Sequence, residues 1–311
     1  MAKAEFDLIR RYFACHKPVN SDVELGIGDD CALFNLPAGQ QLAVTTDTMV
    51  EGVHFLANVD PEALGHKLLA VNLSDLAAMG AKPFAVTLSL SIPRIDHSWL
   101  EAFARGFMQL ARTYAVDLVG GDTTSGPLTL TVQAMGFVPQ SQALLRSAAQ
   151  PGDLIYLSGQ IGDAGLGLKI RLNQYPYHES TALQALERPL PQVTTGLALR
   201  GVARACIDVS DGLLADLGHI MERSGVGARL EWDDLPLSSA VKRYLEVTGD
   251  WQMPLIAGDD YQLCFTVAPD QQHLVPEYCV KIGQIEAETG LRVYKSGDLQ
   301  TIQGTGYEHF A

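Results

Sequence analysis

Apolar and polar residues alternate along several short stretches of this 311-residue chain, and each stretch reads as a half-buried strand. The alternation predicts strands over 42–47, 85–93, 116–121 and 128–138. Between them, runs over 61–79 and 98–114 repeat their apolar positions at the helical period. A second set follows, with strands over 153–158, 205–209, 228–232, 261–267 and 280–285, and helices over 162–173, 194–203, 213–223 and 238–248. Both halves mix the two element types, so the fold class is α/β (α+β) with two mixed domains, 1–139 and 140–311. The stretch between them carries a polar PQSQ and a PGD turn, which suits a linker. A short echo, Leu73-Ser74-Asp75-Leu76 against Val209-Ser210-Asp211-Gly212, raises the possibility of two related halves.

Composition narrows the class. With 47% apolar residues, the chain has ample material for real cores and is too hydrophobic to be a solvated polymer. No run of about 18 uncharged apolar residues occurs, so no membrane partner is expected. The opening MAKAEFDLIRRYF is charged throughout and does not read as a secretory signal. Five widely spaced cysteines without a C-x-x-C pair predict reduced thiols in a cytoplasmic protein, not a disulfide framework or zinc site. The net charge of −14 and the lack of any lysine or arginine cluster argue against nucleic acid as a partner.

The acidic residues matter more for where they fall than for their number. Gly26-Ile27-Gly28-Asp29-Asp30 reads as a glycine-flexed turn, and Thr45-Thr46-Asp47, Gly120-Gly121-Asp122, Asp208-Val209-Ser210-Asp211-Gly212 and Gly258-Asp259-Asp260 lie where predicted strands end or begin. Any one of these could simply cap a turn or a helix. Strand ends of α/β sheets are also where ligands bind. Asp75 differs, because it continues the apolar stripe Leu64, Leu68, Val71 along a predicted helix, three residues after Asn72. A carboxylate on a buried face is either paired there or held as a metal ligand. Several acids cannot gather around a polyanion without countercharge, and magnesium supplies it through oxygen ligands. Aspartates and glycine turns without zinc ligands thus point to Mg-nucleotide phosphoryl chemistry, against a purely structural account. The segment Gly162–Lys169 lacks the spacing and hydroxyl of a Walker loop, and Asp208–Gly212 lacks the glutamate of a calcium loop.

The strings GIGDDCALF, TTDTMVEGVHF, VNLSDLAAMGAKP, LVGGDTTSG, LLRSAAQPGD, IDVSDGLLADL and AGDDYQLCF, closing with GYEHF, occur in that order. In this the chain resembles the thiamine-monophosphate kinases, within the group of ATP-binding enzymes related to aminoimidazole ribonucleotide synthetase. The resemblance runs from about residue 22 to GYEHF, and VEGVHF and GYEHF point to the thiamine branch. It implies transfer of the γ-phosphoryl of ATP to thiamine monophosphate, giving thiamine diphosphate and ADP, by direct transfer with several Mg2+ ions. It also implies an N-terminal ATP- and Mg-binding domain that pairs into a homodimer with a shared β-barrel, and a C-terminal domain completing the active-site cleft. By the same resemblance, Asp30, Thr45, Thr46, Asp47, Asp75, Asp122, Asp208 and Asp211 hold magnesium. Gly121, Asp122, Arg146 and Ser210 contact ATP, and His54, Asp259 and Tyr307 surround thiamine monophosphate. Asp47, Asp75, Asp122 and Arg146 are then the catalytic set. Where the family usually reads GGEDYEL, this chain has Ala257-Gly258-Asp259-Asp260-Tyr261-Gln262-Leu263, one methylene shorter on the substrate side. For the dimer, Val86, Leu88, Leu90 and Ile92 offer one continuous apolar face.

Relatives with other activities fit less well. Cys15 lacks the glycine-rich loop of a selenophosphate synthetase, and the His309-Phe310-Ala311 end lacks the terminal cysteine of a hydrogenase-maturation enzyme. A non-catalytic nucleotide or calcium sensor would not need so complete a set of acids.

Overall fold

The computed structural model describes residues 7–14, 18–28, 30–304 and 306–307, so Cys15, Asp29 and the closing 308–311 lie outside the described residues. The chain divides into two compact units, Met1–Leu76 with Ala81–Ser141, and Ala77–Gly80 with Gln142–Ala311. Both are mixtures of helix and strand.

In the first unit, a two-stranded hairpin, β1 (Val23–Leu25) and β2 (Leu33–Phe34), precedes β3 (Gln40–Val50) and the helix α1 (Pro61–Ala78). Then come β4 (Lys82–Ile92), helix α2 (His97–Thr113), β5 (Asp117–Ser125) and β6 (Thr129–Pro139). Asp60 opens α1 by accepting from the N–H groups of Glu62 and Ala63, and Pro61 stands at the first helical position, where it gives up no bond. Asp96 caps α2 in the same way through Ser98 and Trp99. The strands form a sheet in the order β3-β6-β4-β5, in which only β4 and β5 run parallel.

Helices α1 and α2 approach backbone to backbone. A Cβ on Gly65 would stand 2.1 Å from the carbonyl oxygen of Phe103, and one on Gly106 would stand 1.9 Å from that of Glu62. Each helix therefore contributes a glycine exactly where the other needs room, and α1 is buried from Ala63 to Ala78 on most of its surface. Val86, Leu88, Leu90 and Ile92 are all buried within this single chain, so they are not the open face that their alternation suggested. The apolar residues left open on the sheet are Leu42 and Val44 of β3, 42% and 51% exposed. At one end of the sheet, Val23 and Phe34 of the hairpin pack with Phe84, Val119, Met135 and Phe137.

The second unit carries β7 (Leu154–Leu157), helices α3 (Asp163–Arg171), α4 (Ser180–Glu187) and α5 (Val193–Ala198), then β8 (Ala203–Asp208) and α6 (Leu213–Ser224). It continues through β9 (Gly227–Glu231), α7 (Ser239–Thr248), α8 (Met253–Ile256), β10 (Leu263–Val267), β11 (Val280–Glu286), β12 (Gly290–Lys295) and β13 (Asp298–Leu299). Its sheet has the order β13-β12-β9-β11-β7-β10-β8, antiparallel except for the β9–β12 pair. The core joins Ile155, Leu157 and Ile207 of the sheet to Leu213, Leu217 and Ile220 of α6 and Val241 and Tyr244 of α7. Cys206, Cys264 and Cys279 are buried free thiols whose pKa is raised by burial, whereas Cys31 is exposed.

The start of α3 is held by a buried acid. Asp260 accepts from the N–H of Gly162 at 2.7 Å and of Ala164 at 3.3 Å, which are donors that the helix itself leaves unused. Burial nevertheless pushes Asp260 up to about 8 from 3.8, against the pull of those two amides. Its neighbour Asp163, raised by burial as well, accepts from Ser238 Oγ at 2.7 Å, and Ser238 caps α7.

Two expectations follow. Gly106→Ala forces α1 and α2 apart and should lower stability by about 1–3 kcal/mol or more, read by denaturant unfolding. For Asp260, the stabilisation of its protonated form is complete below about pH 4 and is lost as pH rises through about 8. Asp260→Asn removes that titration, so its Tm relative to the parent should climb steadily between pH 5 and 9. A difference in Tm independent of pH would show that the carboxyl does not titrate in this range.

Candidate active site

In the first unit, the site is built on β3 and α1. Thr45 and Asp47 lie two apart on one strand and so face the same side. Asn72 and Asp75 lie three apart on one helix and likewise share a face. The two pairs meet: Thr45 Oγ1 donates to Asp75 Oδ2, and the Asp47 N–H donates to Asn72 Oδ1 at 3.1 Å. Asn72 is fully buried and is itself oriented by donating to the Leu68 carbonyl at 2.9 Å. Asp75 is half-buried on the helix face that its spacing predicted. Thr46, exposed between Thr45 and Asp47, belongs to the opposite face of the strand by alternation.

The remaining first-unit candidates stand apart from this group. Asp122 sits on β5, at the far edge of the sheet from β3, three strand spacings or about 14 Å away along the sheet. It is exposed, and it follows Gly121, whose φ of 147° and approach to Leu88 exclude any side chain: a Cβ would lie 1.8 Å from the Leu88 carbonyl oxygen. Asp30 is exposed beside Asp29, which lies outside the described residues. His54 lies in the turn after β3, where its Nδ1 accepts from the Val50 N–H at 3.0 Å. That bond leaves Nε2 as the nitrogen that carries the ring proton.

In the second unit, β8 ends at buried Asp208 and turns through Val209, Ser210, Asp211 and Gly212 into α6. The turn is bound on several sides. Asp216, in the first turn of α6, accepts from the N–H groups of both Ser210 and Asp211 at 3.0 Å. The Ser210 carbonyl accepts from the Asp259 N–H at 2.8 Å, and the Asp211 carbonyl accepts from the Tyr307 N–H at 3.0 Å. Thus Ser210, Asp211, Asp259 and Tyr307, drawn from three distant stretches of sequence, come together here.

Asp259 and Tyr261 both have positive φ, 69° and 49°, an uncommon conformation for residues other than glycine. The predicted strand over 261–267 therefore begins only at Leu263. The Tyr261 hydroxyl donates to Asp259 Oδ1 at 2.9 Å, which fixes the shortened acid within its own loop. Arg146 is exposed beside β8, where the Leu145 carbonyl accepts from the Cys206 N–H at 3.1 Å. Burial pushes Asp216 up to about 7, while its two amide partners and the Arg146 charge pull the other way.

Among the described residues, no three or more His, Cys, Asp or Glu side chains converge tightly enough to hold a metal ion by themselves. What the structure does provide at Asp75 is oxygen chemistry: the Thr45 hydroxyl bonded to the Asp75 carboxylate, with Asp47 on the same side of the strand as Thr45. Sequence reasoning passed over Asp216 and Tyr261 as functional residues. Asp216 stood in the IDVSDGLLADL string, five residues beyond Asp211, where an acid in a first helical turn can reach back to the preceding loop.

Residues 28–138 match the family model of the AIR synthase related protein, N-terminal domain, and residues 150–296 that of the C-terminal domain. The thiamine-monophosphate kinase of Salmonella typhimurium is 46% identical, over 100% of this chain and 99% of that protein. The crystal structure of thiamine-monophosphate kinase from Stenotrophomonas maltophilia K279a has a TM-score of 0.86 at 45% identity, covering 96% of this chain and 98% of that one. AaThiL complexed with AMPPCP and TMP has a TM-score of 0.80 at 29% identity, covering 100% of this chain and 98% of that one. Likeness at this identity along essentially the whole of both chains means that the chain belongs to the thiamine-monophosphate kinase family, within the AIR synthase related group.

Proposed function

We propose that this protein transfers the γ-phosphoryl of ATP to thiamine monophosphate, giving thiamine diphosphate and ADP. The observation that carries the reading is full-length membership of the family, with the acid and glycine strings in order and one of them altered at Ala257, Asp259 and Gln262. A solved relative holds AMPPCP, an ATP analogue, together with TMP.

In this reaction a terminal phosphate oxygen of the acceptor attacks the γ-phosphorus, and the bond to the bridging β-γ oxygen breaks. The attacking phosphate is already anionic, so no strong general base is required and the task is positioning and charge neutralisation. The oxygen donor set of Thr45, Asp47 and Asp75 suits magnesium. In our reading Asp30, Thr46, Asp122, Asp208 and Asp211 join those three in holding several such ions. When bound, they offset the charge that builds between the two phosphates. Asn72 keeps the strand in register with the helix, so that Asp47 and Asp75 present their oxygens together.

Gly121, Asp122, Arg146 and Ser210 meet the nucleotide, Arg146 with a planar fork suited to phosphate. Gly121 has to lack a side chain because the Leu88 main chain fills that place, which fixes the strand that carries Asp122. His54, Asp259 and Tyr307 receive thiamine monophosphate. On this reading the first unit contributes Gly121, Asp122, most of the magnesium residues and His54, and the second contributes Arg146, Ser210, Asp208, Asp211 and the acceptor-side Asp259. We further infer a cytoplasmic homodimer in which first units pair into a shared β-barrel. The exposed Leu42 and Val44 on β3 support that pairing better than the buried run Val86–Ile92. Among the described residues no helix is long and apolar enough to cross a membrane.

Incubation with Mg-ATP should convert thiamine monophosphate, and not free thiamine, to a product one phosphate heavier by mass spectrometry. Equal turnover of thiamine, or none of the monophosphate, defeats the reading. Asp47→Asn and Asp75→Asn should each cut kcat by about 10²–10³-fold while circular dichroism stays unchanged. Asp259→Ala should raise KM for thiamine monophosphate by about tenfold or more, since a charge-assisted contact contributes about 1.5–3 kcal/mol, and leave KM for ATP nearly as it was. A rise confined to ATP would place Asp259 on the nucleotide side.

A further inference from the structure

We propose that Asp216 is a positioning residue for phosphoryl transfer, and that it holds the Ser210–Asp211 turn by the placement of one oxygen rather than by its charge. The inference rests on the reading that Ser210 meets the nucleotide and Asp211 a cation.

The geometry is specific. Asp216 is 2% exposed, and a single atom, Oδ2, accepts from both the Ser210 and the Asp211 N–H at 3.0 Å each. A turn entering a helix normally offers such amides to a phosphate. Here a carboxylate of the chain already occupies them. The ligand-binding groups left to the turn are therefore the Ser210 hydroxyl and the Asp211 carboxylate, both half-buried.

The carbonyl side of the turn is fastened independently. The Asp259 N–H reaches the Ser210 oxygen at 2.8 Å, and the Tyr307 N–H reaches the Asp211 oxygen at 3.0 Å. Glycines close the remaining space: a Cβ on Gly258 would lie 2.2 Å from the Ser210 oxygen, and one on Gly212 would lie 2.7 Å from the Ile256 oxygen. With the carbonyls tied and the path blocked by backbone, the amide side is the freedom left to the turn, and Asp216 removes it. The side chain acts through Ser210 and Asp211 and does not itself reach the ligand.

This assignment separates position from charge. Asparagine offers one carbonyl oxygen at the place of Oδ2 and no charge. Glutamate keeps the charge but moves its oxygens by a methylene, and alanine leaves two amides without an acceptor. Binding of Mg·AMPPCP to the full chain, followed by calorimetry well below the Tm of each variant, should weaken about tenfold or more in Asp216→Ala and Asp216→Glu. Asp216→Asn should recover it to within about threefold, and kcat for thiamine monophosphate should follow the same order. If Asp216→Ala fails to fold, the comparison of Glu with Asn decides the matter alone. Asn as impaired as Glu would make charge or direct metal ligation the cause and overturn the proposal, as would Glu binding like the parent. If the unsubstituted chain itself neither binds Mg·AMPPCP nor phosphorylates thiamine monophosphate, the functional reading fails and takes this inference with it.

Discussion

Carboxylates held near one another without countercharge repel, and the bonds that hold the candidate acids of this molecule have to work against that repulsion. Among the bonds that fix the acids are several from neutral donors: a threonine hydroxyl to Asp75, backbone amides to Asp216 and Asp260, a tyrosine hydroxyl to Asp259. Neutral donors set direction without spending the negative charge that cations and nucleotide phosphates must later meet. Burial raises Asp216 and Asp260 towards neutrality, so the acids that only hold the framework add less to the repulsion than their number suggests.

The second requirement is closeness of main chain. Gly121 against Leu88, Gly258 against Ser210 and the reciprocal pair Gly65 and Gly106 all mark places where a Cβ would overlap a carbonyl oxygen. The first adjoins Asp122 in the first unit, the second adjoins Asp259 in the second unit, and the pair lies between the helix that carries Asp75 and its neighbour. The position of Asp75 is thus set by the depth at which two helices can interlock, and the position of Ser210 by how closely a loop can press on a turn. Side-chain packing could give by a few tenths of an ångström, but backbone against backbone gives far less.

Much of this was visible in the residues themselves. The long strands of the first unit and both of its helices are legible as apolar stretches; α2 follows the helical period closely because one face of it is buried and the other is not, whereas α1 is buried on most of its surface. Asp75 betrayed itself by interrupting an apolar stripe. The shorter elements were hidden for physical reasons. The hairpin Val23–Leu25 and Leu33–Phe34 offers too few residues for a period to register, and the helix Ser180–Glu187 follows a tyrosine- and proline-bearing loop that hides its start. The helix expected to reach residue 203 stops at Ala198, with Gly201 at φ 72° turning the chain into β8. The echo between 73–76 and 209–212 is coincidental in structure, since Ser74–Asp75 lies within a helix and Ser210–Asp211 in a turn. Asp216 escaped notice because its partners are main-chain amides, which leave no trace in composition.

The separation of Asp47 and Asp122 on opposite edge strands has a consequence for how such a protein can change. Their spacing is a count of strands, and the hydrogen-bond repeat of about 4.8 Å makes that count a ruler with coarse divisions. Substitutions can adjust what each acid touches, but the span between them changes only when a whole strand is gained or lost. An acceptor or donor of different length therefore cannot be accommodated by gradual drift along this axis. New specificity has to arise in loops instead, such as Gly258–Tyr261 of the second unit, where a methylene more or less is within reach of a single codon.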